Sequence, residues 1–213
     1  MVLGANDGIV STASLVLGVA AADASTNAIV TAGVAALVAG ALSMALGEYV
    51  SVSSQRDAEA ADIAKETWEL REMPDHELDE LTAIFEDKGL SPALARTVAV
   101  ELTEKDALKT HLAEELGITE VTRARPLQAA VVSGLSFTTG SAVPLLTIAL
   151  VTESARIVTT LVVAAVSLAV LGFTGARFGR AGTRRPTLRV LIGGLAAMGA
   201  TMLIGSLVGT AIA

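Results

Sequence analysis

The sequence has no cysteine, two histidines, one tryptophan and one tyrosine. The absence of cysteine excludes disulfide bonds and thiolate metal sites. Basic residues are outnumbered by acidic ones, and the formal net charge is −7. Such an acidic chain is not expected to bind nucleic acid. No basic segment precedes the first apolar stretch, so no cleavable signal peptide is expected.

Charged residues are scarce everywhere except in one segment. Residues 51–125 hold 18 of the 22 acidic residues and 9 of the 15 basic ones. The chain as a whole is 52% hydrophobic with a mean hydropathy of +0.62, which is too apolar for an ordinary soluble domain. We therefore predict transmembrane helices 1 and 2 in residues 1–54, an acidic helical metal-binding domain in 55–122, and transmembrane helices 3–5 in 123–213.

Five segments are long enough to cross a membrane, which takes about 20 apolar residues. The last three, within 126–152, 157–176 and 190–213, are uncharged, and the second covers 27–54 with Glu48 inside it. The first has only 15 uncharged residues between Asp7 and Asp23. A full span therefore needs Asp7 inside the membrane; a re-entrant segment is the alternative. The predicted fold is an all-α membrane protein with a cytoplasmic three-helix insert between transmembrane helices 2 and 3.

The distribution of basic residues predicts the orientation. Five arginines lie in or beside the loop between spans four and five: Arg177, Arg180, Arg184, Arg185 and Arg189. Arg123 and Arg125 end the acidic insert. Because cytoplasmic loops are enriched in Lys and Arg, the insert and this loop are predicted to face the cytoplasm of a multi-pass protein of the cell membrane.

Small residues and one proline suggest how the spans pack. The pairs Gly175/Gly179 and Gly205/Gly209 have the GxxxG spacing that permits close helix packing. Pro144 is predicted to break the third span, as in membrane helices that line a cavity. A simple packing kink is the alternative for Pro144.

The acidic insert is predicted to be helical throughout. No proline or glycine interrupts residues 48–73, so span two should continue as one long helix that Pro74 ends. Asp75 is a candidate N-cap of a second helix. Ser91 as N-cap and Pro92 at the first helical position are typical of a helix start. This third helix is predicted to run to Leu116 with a break near Thr103.

Carboxylates of the insert are spaced as metal ligands would be. Two E-x-x-E pairs flank Pro74: Glu66 with Glu69, and Glu77 with Glu80. Residues three or four apart share a helix face, which also applies to His111 and Glu115. Oxygen ligands with one imidazole suit Mn²⁺, Fe²⁺, Co²⁺ or Zn²⁺. The alternative is an ordinary solvated acidic face. His76 has no obvious partner and is interpreted as a surface residue.

A second constellation falls in the predicted spans. Asp7 and Glu48 are acids in or near the bilayer, where ionisable groups usually serve a function. Met44 lies one turn before Glu48, and its thioether favours first-row transition metals over Mg²⁺ and Ca²⁺. Asn6 is a further oxygen ligand. The alternatives are that Met44 only fills the core and that Glu48 is an interfacial acid at a helix end.

These segments together resemble a known family. GANDGIVSTASLVLGV, GALSMALGEYVSVSSQRD and GLSFTTGSAVPLL, with the insert before the last, are similar to the vacuolar iron transporter family in its bacterial branch; the family also includes the yeast vacuolar iron and manganese importer. The resemblance implies a homodimer with a translocation path at its interface. It also implies export of Fe²⁺ or Mn²⁺, and of related ions such as Co²⁺, Ni²⁺ and Zn²⁺, from the cytosol in exchange for protons, without a prosthetic group.

The resemblance also assigns residues. Asp7 and Met44 match path residues of the family, and the insert matches its metal ligands at Glu66, Glu69, Glu77, Glu80 and Glu115. The chain departs from plant members at His111-Leu112, which stand where those members have two methionines. It departs again at Ala36 and Gly40, which replace an acid and a lysine, and at Glu48, which replaces a glycine. The family's first span begins further upstream, so Met1 is interpreted as a shortened start.

The predicted function is therefore transport of a divalent transition metal out of the cytosol by proton antiport. The alternative is a membrane scaffold or metal sensor whose acidic insert docks a partner. A di-iron oxidase is disfavoured because neither histidine follows a glutamate at the E-x-x-H spacing. The chain also has no phosphate-binding loop, and we do not expect it to be an enzyme.

Overall fold

The structure is a computed structural model, and it describes residues 2–119, 122–180 and 182–212. Met1, and Ala213 at the end of the predicted fifth span, lie outside these residues. Over the described residues the chain forms α-helices and no strands. The helices are α1 (Val2–Ala21), α2 (Thr26–Glu72), α3 (Pro74–Asp87), α4 (Pro92–Glu114), α5 (Pro126–Leu150), α6 (Glu153–Phe178) and α7 (Arg184–Ile212).

Five of these helices, α1, α2, α5, α6 and α7, are long and apolar enough to cross a membrane, which confirms the number of predicted spans. A helix suits such segments because it satisfies every backbone polar group internally where water is absent. Helix α1 is continuous and carries Asp7 in its second turn, as a full first span requires. The long second helix is also confirmed, since α2 extends over 47 residues without interruption.

The chain divides into two compact units. The first contains the described residues up to Tyr49 and from Leu127 onward, and the second is Val50–Pro126. This division follows packing between residues and takes no account of a membrane. The functional boundaries at residues 55 and 122 therefore stay a prediction.

Helix α1 is the most buried span of the first unit and packs against α6 and α7. Its apolar residues share a core with Leu168 of α6 and Met198 of α7. Close approach depends on glycine: a Cβ at Gly205 would lie 2.0 Å from the carbonyl oxygen of Gly18, and one at Gly140 would lie 2.1 Å from that of Ala5. The spans are thus packed backbone to backbone around α1.

Two packing predictions need correction. Helix α5 runs through Pro144 without a break, so the predicted break is wrong. Proline removes one hydrogen bond, but the flanking turns keep theirs in an apolar environment. Gly205 lies against Gly18 of α1 and Gly209 against Ala22, just beyond the end of α1. In the other pair, a Cβ at Gly175 would lie 3.0 Å from Val2 Cγ1 of α1, whereas Gly179 forms the C-cap of α6, where an added Cβ would meet only its own helix. Of these four glycines, Gly179 is therefore the one that does not serve helix packing.

In the second unit, α3 and α4 form a hairpin around Leu81, Phe85, Ala95 and Ala99. Gly89, with φ of +99°, allows the turn between them. Several helix ends differ from prediction.

The N-cap of α3 is Met73, because Pro74 takes the first helical position and leaves Asp75 inside the first turn. Helix α4 ends at Glu114 rather than Leu116. Its backbone leaves the helical conformation at Asp106, three residues beyond Thr103.

Candidate metal centre and membrane cavity

Four ligand-type side chains of the second unit converge on one point. Glu66 comes from α2, Glu77 from α3, His111 from α4, and Glu115 is the C-cap of α4. The Nδ1 atom of His111 lies 3.0 Å from Glu66 Oε1, 3.4 Å from Glu115 Oε2 and 3.7 Å from Glu77 Oε2. These four side chains, named the quartet here, have ligand atoms within 4.8 Å of one another.

The quartet is buried and incompletely hydrogen-bonded. Glu66 is 2% exposed and His111 is fully buried. His111 Nδ1 is hydrogen-bonded to Glu115, while Glu66 Oε1 is close to the same nitrogen but is not aligned for a hydrogen bond. Within the described part of the chain, His111 Nε2 also has no hydrogen-bond partner. Buried polar atoms without partners are costly, and a bound cation would satisfy the carboxylate.

The clustered carboxylates of the quartet also favour a bound cation. The pKa of Glu66 is raised to about 7, mainly by burial and also by the neighbouring carboxylates of Glu115 and Glu77. Three acids around one imidazole repel one another when all are ionised. A divalent cation bound there would offset this repulsion and displace the proton from Glu66, so such binding would depend on pH. Carboxylate oxygens with one imidazole suit first-row divalent metals.

Two predicted ligands lie outside the quartet. Glu69 forms an ion pair of 2.9 Å with Lys65 on the same helix. Glu80 belongs to a more exposed group with His76 and Glu77. His76 is a surface residue as expected, but it does have partners: its Nδ1 lies 3.5 Å from Glu77 Oε1 and 4.0 Å from Glu80 Oε2. Glu77 therefore contacts both histidines, one with each carboxylate oxygen.

The first unit contains a cavity of about 420 Å³ between spans. Three of the four predicted path residues line it: Asn6 and Asp7 from α1, and Met44 from α2. Asn6 Oδ1 is buried and has no hydrogen-bond partner among the residues described. Glu48, one turn beyond Met44, is half-buried and is not part of the lining. A carboxylate, an amide oxygen and a thioether thus face one space.

Sequence reasoning missed the contribution of α7 to this cavity. Arg189, Val190, Gly193 and Gly194 complete its wall together with Leu3 and Val10. Arg189 was used only to predict orientation. Its position after an arginine-rich loop does not predict that it lines the same cavity as Asp7, because this depends on how α7 packs against α1.

The fold and these two sites define a class: a multi-pass helical membrane protein with a carboxylate–imidazole group suited to divalent metals and a polar cavity between its spans. The family model described as VIT family matches residues 1–206. The chain belongs to this family, and its identification as a vacuolar iron transporter family member from the sequence is confirmed.

Named relatives agree. The chain is 44% identical over 207 residues to the vacuolar iron transporter of Acanthamoeba castellanii, covering 97% of this chain and 76% of that one. It is 40% identical over 201 residues to vacuolar iron transporter homolog 5 of Oryza sativa subsp. japonica, covering 94% and 74%. It is 37% identical over 209 residues to vacuolar iron transporter homolog 2 of Arabidopsis thaliana, covering 98% and 82%. These relatives support metal transport.

Proposed function

We propose that this protein carries Fe²⁺ or Mn²⁺ out of the cytosol in exchange for protons. The observation that carries the proposal is the cavity of the first unit, where Asp7, Asn6 and Met44 face one space. A carboxylate inside a membrane-spanning unit is costly unless it is neutralised. A metal ion neutralises it in one direction of transport and protons do so in the other.

The chemistry of the cavity favours a transition metal. Asp7 and Asn6 supply hard oxygen atoms, and Met44 supplies a polarisable sulfur that Mg²⁺ and Ca²⁺ do not prefer. Glu48 lies on the same helix as Met44, at the next turn, and in this proposal it passes protons or metal between the cavity and the cytosolic side. Arg189 lines the same cavity as Asp7 and adds a fixed positive charge there. This charge opposes the entry of any cation that Asp7 does not bind.

The quartet is proposed to capture the metal on the cytosolic side. Arginines between α6 and α7 support this orientation, since basic loops stay in the cytoplasm. Protons compete with metal for carboxylate and imidazole ligands, so the site should hold metal more weakly as the pH falls. Co²⁺, Ni²⁺ and Zn²⁺ are compatible with the same ligands.

A homodimer is part of the proposal. Helix α2 exposes an apolar row at intervals of four residues: Val34, Val38, Leu42 and Leu46. Such a row must face lipid or another protein surface. In a dimer, α2 of a second copy would cover it and close the open side of the cavity at Met44.

Transport is tested with purified protein in liposomes that contain a metal-sensitive dye and an acidic interior. Fe²⁺ or Mn²⁺ should enter only while the pH gradient lasts. Asp7→Asn and Met44→Ala should abolish entry, because each removes a ligand from the cavity. Asp23→Asn and Met198→Leu are matched controls outside the cavity and should retain it.

Full transport by both cavity variants would refute the path. Metal binding without flux, in protein shown to be folded and inserted, would instead favour the alternative of a metal sensor. That alternative is supported by the buried quartet, because metal binding there would need no path through the membrane.

A further inference from the structure

The end of α6 and the start of α7 carry several arginines but no acidic residues. Arg177 and Arg180 lie at the end of α6, and Arg184, Arg185 and Arg189 lie in the first two turns of α7. The sequence has no acidic residue after Glu153. Among the residues that the structure describes, these five arginines form no ion pair within 4.0 Å.

Other arginines of the chain contrast with this cluster. Arg156, at the start of α6, donates hydrogen bonds to Thr26 Oγ1 at 3.1 Å and to the Ala24 carbonyl at 3.3 Å. Arg71 pairs with Glu72 at 2.8 Å. Arg156 and Arg71 thus have partners nearby, whereas the five arginines of the cluster lie in a part of the chain that has no acidic residue.

Three arginines of the cluster line a cavity of about 790 Å³ at the start of α7. Its lining includes Thr183, Arg184, Arg185 and Arg189. Helices α6 and α7 are held together beside it, since a Cβ at Gly172 would lie 2.8 Å from Cα of Thr187. These three arginines thus share one concave space on a closely packed helix rather than lying on a flexible tail.

The placement of these arginines is unfavourable without an anion. Arg184 and Arg185 occupy the first turn of α7, where the positive end of the helix dipole disfavours cations. Two guanidinium groups at that end also repel each other. An anion among them removes both penalties, and guanidinium binds phosphate oxygens in pairs of parallel hydrogen bonds.

The position of the cluster at a membrane surface indicates that the anion belongs to a lipid head group. Helices α6 and α7 are both candidate membrane spans, so their shared end lies at a membrane surface. Phe178, 85% exposed, lies between Arg177 and the loop. An exposed aromatic ring beside arginines is typical of the interface, where the ring enters the acyl region and the cations meet head groups.

We propose that this arginine cavity binds the phosphate of an anionic phospholipid head group. Phosphatidylglycerol is the simplest lipid with the required phosphodiester and net negative charge. The site does not rest on the proposed transport, because its cavity is lined by the start of α7 and the loop before it and is distinct from the cavity of Asp7 and Met44; Arg189 lines both cavities.

The test measures lipid binding by the full chain in detergent micelles, with phosphatidylglycerol and phosphatidylcholine compared by native mass spectrometry. The wild type should prefer phosphatidylglycerol. Each basic residue near an anionic surface contributes about fivefold, so Arg184→Gln/Arg185→Gln should lower this preference about 25-fold. The charge-matched control Arg56→Gln/Arg71→Gln, in the second unit, should keep it.

Further variants separate the explanations. Arg184→Lys/Arg185→Lys keeps the charge and should lose only part of the preference, because ammonium lacks the paired geometry. If the double glutamine variant does not fold, the single variants decide, each with an expected loss of about fivefold.

An unchanged preference in the glutamine variants would overturn the proposal. So would equal occupancy by inorganic phosphate, at the same concentration and with phosphatidylcholine as the only lipid, since the site would then be a free-phosphate site.

Discussion

Replacing Glu66 by glutamine should stabilise the metal-free second unit at neutral pH. The pKa of this carboxyl is raised from 4.5 to about 7, first by burial and then by the carboxylates around it. Between these two pH values the folded state keeps a proton that the unfolded state has released. The free energy of unfolding therefore falls as the pH rises through this window.

The size of the effect follows from the shift. One pKa unit corresponds to about 1.4 kcal/mol, so ionising Glu66 in the folded protein costs about 3 kcal/mol in full. Glu66→Gln has no such cost. The difference in stability between variant and wild type should rise from near zero at pH 4.5 to about 3 kcal/mol above pH 7.

Trp68 makes this measurable in the whole chain, because it is the sole tryptophan and belongs to the second unit. Urea unfolding followed by its fluorescence, in detergent and a chelator, gives the free energy of unfolding at each pH. Glu101→Gln, at an exposed position of α4, is the control and should give a pH-independent difference. Parallel pH profiles for Glu66→Gln and wild type would refute the burial argument. Added Mn²⁺ should reverse the order at high pH, since metal needs the ionised carboxylate.

The remaining predictions concern packing and ligand identity. Gly205→Ala should destabilise the spans by about 3 kcal/mol, because its Cβ would lie 2.0 Å from the Gly18 carbonyl oxygen. Gly199→Ala, with no atom within 4 Å of the new Cβ, should be neutral or stabilising by up to about 1 kcal/mol; thermal unfolding in detergent compares them, and equal losses would contradict the packing. Glu77→Gln should weaken Mn²⁺ binding about 10- to 100-fold by calorimetry, while Glu69→Gln, which removes only a surface ion pair, should change it little. Equal losses in these two would show that Glu69 is a ligand.

The spans could be predicted because they depend on a property of contiguous sequence. An uncharged run of sufficient length has few alternatives to a helix in a membrane. The proline at 144 shows the limit of such reasoning. Its tendency to break a helix is local, but the outcome depends on neighbours that surround the helix and exclude water.

The metal centre was only partly predictable for a related reason. Helical spacing places Glu66 and Glu69 on the same side of α2. Helical spacing does not predict which of these two carboxylates α3 and α4 will bury. Glu66 is buried beside Glu77 of α3 and His111 of α4, whereas Glu69 pairs with Lys65 of its own helix. The same applies to Arg189, whose place in the membrane cavity depends on contacts between distant segments.

Glu77 belongs to both an exposed and a buried group of ligand-type side chains. Its Oε1 faces His76, which is 70% exposed, and its Oε2 faces His111, which is fully buried. If the quartet binds metal as proposed, an ion from solution would meet the exposed group of ligands before the enclosed one. The exposed group would then set how fast the ion arrives, and the buried quartet how long it stays. A chain built this way would load quickly from a dilute pool and still retain what it has loaded.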